Sequence, residues 1–137
     1  MDFSRDIYSS ARFQVDIDGL SAVAFASCRG LGGQARYLAV NEGGREVPRL
    51  FSDDVIWNPI VLERGVTVDS DLFDWFDRGM PRDGTVSLLG LSGSVVSRWR
   101  FERGRVARWK TSDLDAAVQT VSLESIEIVH EGLRWLK

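Results

Sequence analysis

The segment from Ile60 to Phe76 constrains the fold more than any other part of the sequence. Its first part, residues 60–66, is mostly apolar and predicts a strand, which Glu63, Arg64 and Gly65 interrupt. A short helical pattern follows directly. A single short helix cannot bury an apolar face by itself, so the chain must also supply a sheet beneath it.

The helix is predicted to begin near residue 70 and to end at Gly79, which suits a left-handed C-terminal cap. Leu72, Trp75 and Phe76 fall at positions i, i+3 and i+4, which places three bulky apolar side chains on one face. The side-chain oxygens of three residues could accept a hydrogen bond from the first helical turn: Thr67, Asp69 and Ser70.

The rest of the chain is predicted to supply that sheet. Phe13, Val15 and Ile17 alternate with polar residues and end at an Asp18-Gly19 turn. Further strands are predicted over residues 22–28, 85–91, 95–101 and 106–110, with a turn over 102–105. Ser112 and Asp115 resemble a helix-capping box. Residues 118–133 have both helical and alternating spacing, and their β-branched content favours a strand.

A long hairpin is predicted over residues 34–51, because residues 41–44 (Asn-Glu-Gly-Gly) are a turn signal between two strand-like runs. Pro48 lies inside the predicted return arm and removes a ladder donor, which indicates an edge strand or a projecting one. In all, about seven or eight strands and one helix are expected. The predicted fold class is mainly β, an antiparallel β-sandwich or barrel with one α-helix packed on the sheet, as a single domain over residues 1–137.

Length, charge and cysteine content exclude several classes of protein. The 137 residues suffice for a hydrophobic core, and a net charge of −3 argues against a general nucleic-acid coat. Cys28 is the only cysteine, which excludes an internal disulfide and a multi-cysteine metal site. The first residues lack a signal-peptide pattern, and no apolar run approaches the roughly 20 residues of a membrane span. We therefore expect a chain with no membrane anchor that is assembled in the cytoplasm.

The basic and aromatic residues are unusual in number and kind. Of the 17 basic residues only Lys110 and Lys137 are lysine, and the chain has 5 tryptophans. Arginine suits interfaces better than lysine. Two interpretations stay open, a tryptophan-rich core with an arginine bias or a surface built of subunit contacts. A basic patch with Trp99 and Trp109 interleaved favours ion pairs across subunits over nucleic-acid stacking; it comprises Arg98, Arg100, Arg103, Arg105 and Arg108.

No catalytic, cofactor-binding or metal-binding residue is predicted. His130 and Glu131 could in principle form an acid–base pair, but a lone histidine does not make a zinc site. The loop at residues 29–33 (Arg-Gly-Leu-Gly-Gly) lacks the glycine spacing of a phosphate cradle, and no nucleophile elbow is present. A solvated helix face explains one acidic group better than a cation site does: Asp69, Asp71, Asp74 and Asp77. We expect a protein that is not an enzyme and needs no cofactor.

Taken in order, several short motifs resemble the tail tube protein family of contractile phages and contractile injection systems. They are Phe-Gln-Val-Asp-Ile-Asp-Gly at 13–19, Asn-Glu-Gly-Gly at 41–44, Leu-Glu-Arg-Gly-Val-Thr at 62–67, Asp-Leu-Phe-Asp-Trp at 71–75, and the closing residues 123–133, which contain His-Glu-Gly-Leu. Two loop positions depart from the family pattern. Residues 50–52 (Leu-Phe-Ser) replace Leu-Pro-Gly, and the Ala-Trp-Pro usual before Lys-Trp is missing ahead of Trp109.

The resemblance implies a structural subunit of the inner tube of a contractile tail or injection particle. Hexameric rings, closed by strands from neighbouring subunits, would stack into a hollow tube that conducts DNA or protein when the sheath contracts. The implied partners are the chain itself, a contractile sheath protein, baseplate or tube-initiator proteins, terminator proteins, and cargo DNA or protein in the lumen. The implied location is a phage tail or an extracellular injection particle. The alternatives are a small-ligand-binding β-barrel and a tube-initiating baseplate protein of the same family.

Two sets of contact residues follow from this interpretation. The projecting hairpin is the candidate for contact between stacked rings, and the helix is the candidate cover of the outer sheet face at the junction between neighbours. The ring–ring candidates are Asn41, Glu42, Gly43, Gly44, Arg45 and Pro48. The candidates for contact between subunits of one ring are Arg64, Asp71, Trp75, His130 and Glu131.

Overall fold

The computed structural model describes residues 12–67, 69–117 and 121–137, which contain nine strands and one helix. The elements are β1 (Phe13–Ile17), β2 (Val23–Arg29), β3 (Gly33–Val40), β4 (Arg49–Trp57), β5 (Ile60–Thr67), α1 (Asp71–Arg78), β6 (Arg82–Leu89), β7 (Val95–Thr111), β8 (Val121–Val129) and β9 (Gly132–Trp135). Within these ranges no helix has the length and apolar character needed to cross a membrane.

Six antiparallel strands form a closed barrel in the order β6-β1-β2-β5-β8-β7, and pairing of β6 with β7 completes the circle. β9 adds to β7 beyond the end of β8, and β3 with β4 forms a separate two-stranded sheet. The predicted class, mainly β with one helix, is confirmed. The expectation that neighbouring copies must close the main sheet does not hold for these six strands, because β6 and β7 pair within the chain. Within the described ranges, open strand edges remain on β3, β4 and β9.

The barrel interior is filled by side chains. Phe25, Ile60, Leu62 and Phe101 are fully buried, and two glycines give the Phe101 ring its space. A β-carbon on Gly84 or on Gly104 would approach that ring more closely than the 3.0 Å that real β-carbons keep. A narrow barrel of few strands leaves no room for a lumen, and here aromatic and branched residues occupy it.

The helix packs as the sequence predicts. Leu72 and Trp75 are buried in the same core as the barrel residues, and Phe76 packs against it. Gly79 adopts a φ of 67° and its amide donates to the Trp75 carbonyl oxygen at 3.0 Å, which confirms the predicted stop. Ser70 occupies the N-cap position without a side-chain cap, whereas Asp69 Oδ1 accepts from the amide of Asp71 at 3.0 Å.

Two predicted interruptions are wrong, because both lie inside continuous strands. β7 runs unbroken for 17 residues through the predicted turn at 102–105. There a step of two residues in β6, from Arg82 to Gly84, lies opposite a step of three residues in β7. Arg103, in that part of β7, has a φ of 49°. β5 likewise continues through residues 63–65, with Arg64 at a φ of 57°. The extra residue in β7 is a bulge, which kinks a strand without ending it. β5 keeps its register with both neighbours through Arg64.

The C-terminal part also differs in detail from the prediction. Asp115 Oδ1 accepts from the amide of Ala117 at 2.9 Å, while the amide of Ser112 donates to the Ser122 carbonyl oxygen at 3.0 Å, so the capping box does not form. The strand assignment for residues 118–133 is confirmed over the described part, but as two strands, β8 and β9, separated at His130 and Glu131. Residues 118–120 of that prediction lie outside the described ranges.

Candidate assembly surfaces

The β3–β4 hairpin is the most exposed element of the described chain. All eight residues of β3 are exposed, and in β4 only Trp57 is partly buried. The return strand begins at Arg49 and continues to Trp57, so it starts later and runs further than predicted. Pro48 therefore precedes the strand and does not sit inside it. The hairpin is longer than expected and lies where its turn signal indicated. It projects from the barrel, although Pro48, from which an edge or projecting strand was predicted, lies outside the return strand.

The register divides the hairpin into two unlike faces, because directly opposed residues share a face and successive residues alternate. One face carries no charged residue; this uncharged face consists of Ala35, Tyr37, Ala39, Leu50, Ser52 and Val55. The opposite face carries Arg36 and Arg49 besides apolar residues, and a bulge in β4 places Asp53 and Asp54 across from Arg36. An isolated two-stranded hairpin is marginally stable in water. An uncharged, exposed face on such a hairpin indicates a surface that another molecule covers.

The hairpin tip is held by short-range contacts. The amide of Arg45 donates to the Glu42 carbonyl oxygen at 3.2 Å, and Gly44 adopts a φ of 86° that favours glycine. Arg49 Nε lies 3.6 Å from Glu42 Oε2. Val47 is 71% exposed at the end of the arm. These contacts keep the tip compact while leaving its apolar residue and Arg45 at the surface.

An aromatic cluster that the sequence analysis did not single out lies beside α1. Phe73 meets Trp109 edge to face with ring centroids 5.5 Å apart, and Phe76 stacks on Trp109 at 6.1 Å. Phe73 nevertheless remains exposed. Phe73 falls outside the apolar stripe of the helix. An aromatic residue at such a position was the sequence signal that could have revealed this cluster. A cleft of about 370 Å³ opens here between α1 and the ends of β7 and β8.

The predicted contacts within a ring are spread over the molecule. Arg64 is exposed within β5, and Asp71 Oδ2 accepts from the amide of Ser21 at 3.4 Å. Trp75 is only 3% exposed and its Nε1 donates to the Met80 carbonyl oxygen at 2.8 Å. Since so little of its surface is left for a neighbour, Trp75 is a core residue in this chain and we withdraw it as a contact candidate.

His130 and Glu131 are adjacent in sequence but have different partners. The His130 ring nitrogens lie 3.0 Å from the Gly132 carbonyl oxygen and 3.1 Å from that of Asn58. Glu131 Oε2 accepts from Arg103 Nε at 2.7 Å. Both therefore link β9 to its surroundings, and these contacts do not join the two side chains in the acid–base pair considered above. Over the described ranges, no group of three or more potential metal-ligating side chains is present.

Three of the five arginines of the basic patch form ion pairs within the chain, and the expectation of ion pairs between subunits stays a prediction. Arg100 lies 2.8 Å from Asp18, and Arg108 lies 3.3 Å from Glu127. Arg103 pairs with Glu131, as described above. Among the described residues, Arg98 and Arg105 form no ion pair. Trp99 stacks on Trp135 at 5.4 Å, so a base could not use that face of the ring.

Cys28 provides a test of the packing between β2 and β5. Burial raises the pKa of its thiol to about 12 from an ordinary value of 9.0. Because the thiolate is the reactive form, we expect Cys28 in the folded protein to react with a thiol reagent at pH 8 on the order of tenfold more slowly, or slower still, than in the urea-unfolded chain. Absorbance of the released reporter measures the rate. Equal rates in both states would contradict the burial of this side chain.

A closed barrel with a filled interior and a projecting, partly apolar hairpin defines a structural protein that assembles with other molecules. The chain belongs to the T4-like virus tail tube protein gp19 family, whose family model matches residues 9–134. It is a structural subunit of the tail tube type. Comparison with curated proteins found no match.

Several solved structures share this fold. A chain in the baseplate of the anti-feeding prophage is 27% identical, with a TM-score of 0.68 over 93% of both chains. A chain of the PVC sheath–tube complex, an extracellular contractile injection system in its extended state, is 19% identical, with a TM-score of 0.70 over 92% of this chain and 88% of the other. Hcp1 from Flavobacterium johnsoniae is 15% identical, with a TM-score of 0.61 over 90% and 94%. The latter two likenesses concern the fold alone.

Proposed function

We propose that copies of this chain form six-membered rings that stack into the hollow inner tube of a phage tail or an extracellular injection particle. A contractile sheath surrounds the tube and drives it forward, and the lumen conducts DNA or protein cargo. The observation that carries the proposal is the exposed β3–β4 hairpin, with its uncharged face, on a chain of the tail tube family. The sixfold-symmetrised baseplate and the sheath–tube complex among the similar structures support the ring and the sheath partner.

In this assembly the hairpin tip makes the contact between rings. Its candidate residues are Asn41, Glu42, Gly43, Gly44, Arg45 and Pro48, all of them exposed. Contacts within a ring involve Arg64, Asp71, His130 and Glu131, together with the open edge of β9. The chain acts without catalysis and without a cofactor, and it assembles in the cytoplasm before it joins the particle.

A tube-initiating baseplate protein is the second candidate, favoured by the 27% identity to a baseplate chain. The two roles differ in what the pure protein can build. A main tube protein continues to stack on itself, whereas an initiator forms a ring that stops until a different protein joins it. The small-ligand barrel is not favoured, because buried side chains fill the barrel interior.

Negative-stain electron microscopy of the purified protein, alone and together with the products of neighbouring genes, tests the proposal. We expect sixfold rings and hollow tubes of uniform diameter, because the exposed hairpin gives each ring a surface on which the next can stack. As a control, sizing chromatography measures the fraction of the protein that has assembled. Single rings that lengthen only with a partner would favour the initiator role, and a compact monomer under every condition would contradict both.

A further inference from the structure

His130 lies between the hairpin and the barrel, at the junction of β8 and β9. Its ring centroid is 6.1 Å from that of Trp57, at the end of β4, and 6.2 Å from that of Phe101 inside the barrel. Its Nε2 lies 3.1 Å from the carbonyl oxygen of Asn58, and its Nδ1 lies 3.0 Å from that of Gly132. These two contacts join the start of β9 to the segment in which the chain leaves the hairpin.

Asn58 belongs to the hairpin root, which we define as Gly32 and Asn58, the residues directly before β3 and directly after β4. The amide of Asn58 donates to the Gly32 carbonyl oxygen at 3.0 Å. A β-carbon on Gly30 would collide with the backbone of Pro59, so the two links between hairpin and barrel are in close contact. His130 therefore contacts the same residue whose amide closes the root.

Both polar partners of the His130 ring are hydrogen-bond acceptors. A carbonyl oxygen has no proton to donate, and a neutral imidazole has one N–H group and one nitrogen that only accepts. With a neutral ring, one nitrogen would face a carbonyl oxygen at hydrogen-bond distance without a proton between them. With a doubly protonated ring, both N–H groups donate, and hydrogen bonds from a charged donor are the stronger kind. The two carbonyl oxygens therefore favour the doubly protonated ring.

The charged groups that line the hollows on either side of His130 do not create this preference. Among the described residues all but one of them form ion pairs. They are Arg103 with Glu131, Arg134 with Glu102, Arg100 with Asp18, and the unpaired Arg105. The positive charge of Arg105 opposes protonation of the ring, but Arg105 is exposed and solvent screens its charge. The link formed by Asn58 and Pro59 carries no charge.

We propose that His130 is a proton-dependent brace, which holds the hairpin root to the junction of β8 and β9 when its ring carries both protons. Loss of one proton breaks one of the two hydrogen bonds, so the root is held less firmly above neutral pH. Because folding favours the doubly protonated ring, the stabilisation is complete at mildly acidic pH and is lost as the pH rises. The brace is a property of the single chain and would stand if the tube function failed.

NMR spectroscopy of protein labelled with ¹⁵N-histidine tests the protonation directly, because the chain has 1 histidine. Solid-state spectra serve for assembled protein. At pH 6.5 about half of the rings in the urea-unfolded chain are doubly protonated. In the folded protein we expect the ratio of doubly to singly protonated rings to be about fivefold higher, the factor that one net hydrogen bond supplies. An equal or lower ratio in the folded protein would overturn the proposal.

Amide hydrogen exchange in peptides that contain Asn58, corrected for the intrinsic effect of pH, tests the consequence for the root. We expect the protection of this amide to fall about threefold between pH 5.5 and pH 7.5. His130→Gln should give the weaker protection at both pH values, because glutamine stays uncharged. Glu131→Gln is the matched control. It removes the neighbouring carboxylate, keeps both carbonyl acceptors and should keep the pH dependence.

The amide of Ser112 provides a reference at the opposite end of the pairing between β7 and β8, where it donates to the Ser122 carbonyl oxygen. Its protection should not change between the two pH values. An equal change at Ser112 and Asn58, or the same pH dependence at Asn58 in His130→Gln, would overturn the brace. Loss of the pH dependence in Glu131→Gln would assign it to the carboxylate and overturn the role of the carbonyl oxygens.

Discussion

Deletion of residues 42–49 is expected to abolish tube elongation and to leave the barrel folded. The deletion removes the tip with Arg45 and Val47, and it leaves Val40 and Asn41 as a two-residue connection between Ala39 and Leu50, which are already paired. Nothing in the deleted segment contributes to the buried core. The melting temperature should therefore stay within about 3 °C of the original. Electron microscopy should show rings or single subunits and no tubes.

A point variant in the same segment serves as the control for this deletion. Glu46→Gln keeps the length of the arm, its apolar residues and Arg45, so it should still elongate. Tubes of normal length from the deletion variant would refute the assignment of the hairpin to the contact between rings. Loss of the melting transition would show instead that the hairpin supports the barrel.

Gly84→Ala is expected to destabilise the barrel by about 3 kcal/mol, since overpacking a well-filled core costs roughly that much. The added methyl group would press into the Phe101 ring and the Ile17 side chain, and neither has free space to move into. For a domain of this size the loss corresponds to a fall of about 10 °C in the melting temperature. Urea unfolding followed by tryptophan fluorescence measures the change in free energy.

Gly43→Ala is the matched control, because a β-carbon at Gly43 meets nothing within 4 Å. It should leave the free energy of unfolding unchanged within about 0.5 kcal/mol. If Gly84→Ala also left the free energy of unfolding unchanged, β6 would have to be free to move away from the Phe101 side chain. That result would contradict the packing described for the barrel.

Local patterns predicted much of the fold. Leu72, Trp75 and Gly79 fixed the buried face of the helix and its end, because side-chain spacing and a left-handed cap are properties of a few neighbouring residues. The alternation from Phe13 to Ile17 predicted β1 with its observed bounds. The glycine-rich turn at 41–44 located the hairpin. In each case the physical cause lies within about ten residues of chain.

The features that sequence patterns missed depend on residues far apart in the chain. Arg64 and Arg103 adopt left-handed conformations because the partner strands continue past them, and that continuation is not visible locally. The closure of the barrel depends on pairing of β1 with both β2 and β6. The helical spacing predicted that Trp75 is buried. It did not predict that so little of the Trp75 surface would remain accessible to a neighbouring subunit. The cleft at Phe73 exists only because Trp109, on β7, lies beside it.

The hairpin leaves the barrel at one end of β2 and β5, so the two ends of each subunit differ. In the proposed tube every ring would therefore have the same orientation, and the two terminal rings would present different surfaces. The protein that begins the proposed tube and the one that ends it would then need different contact surfaces.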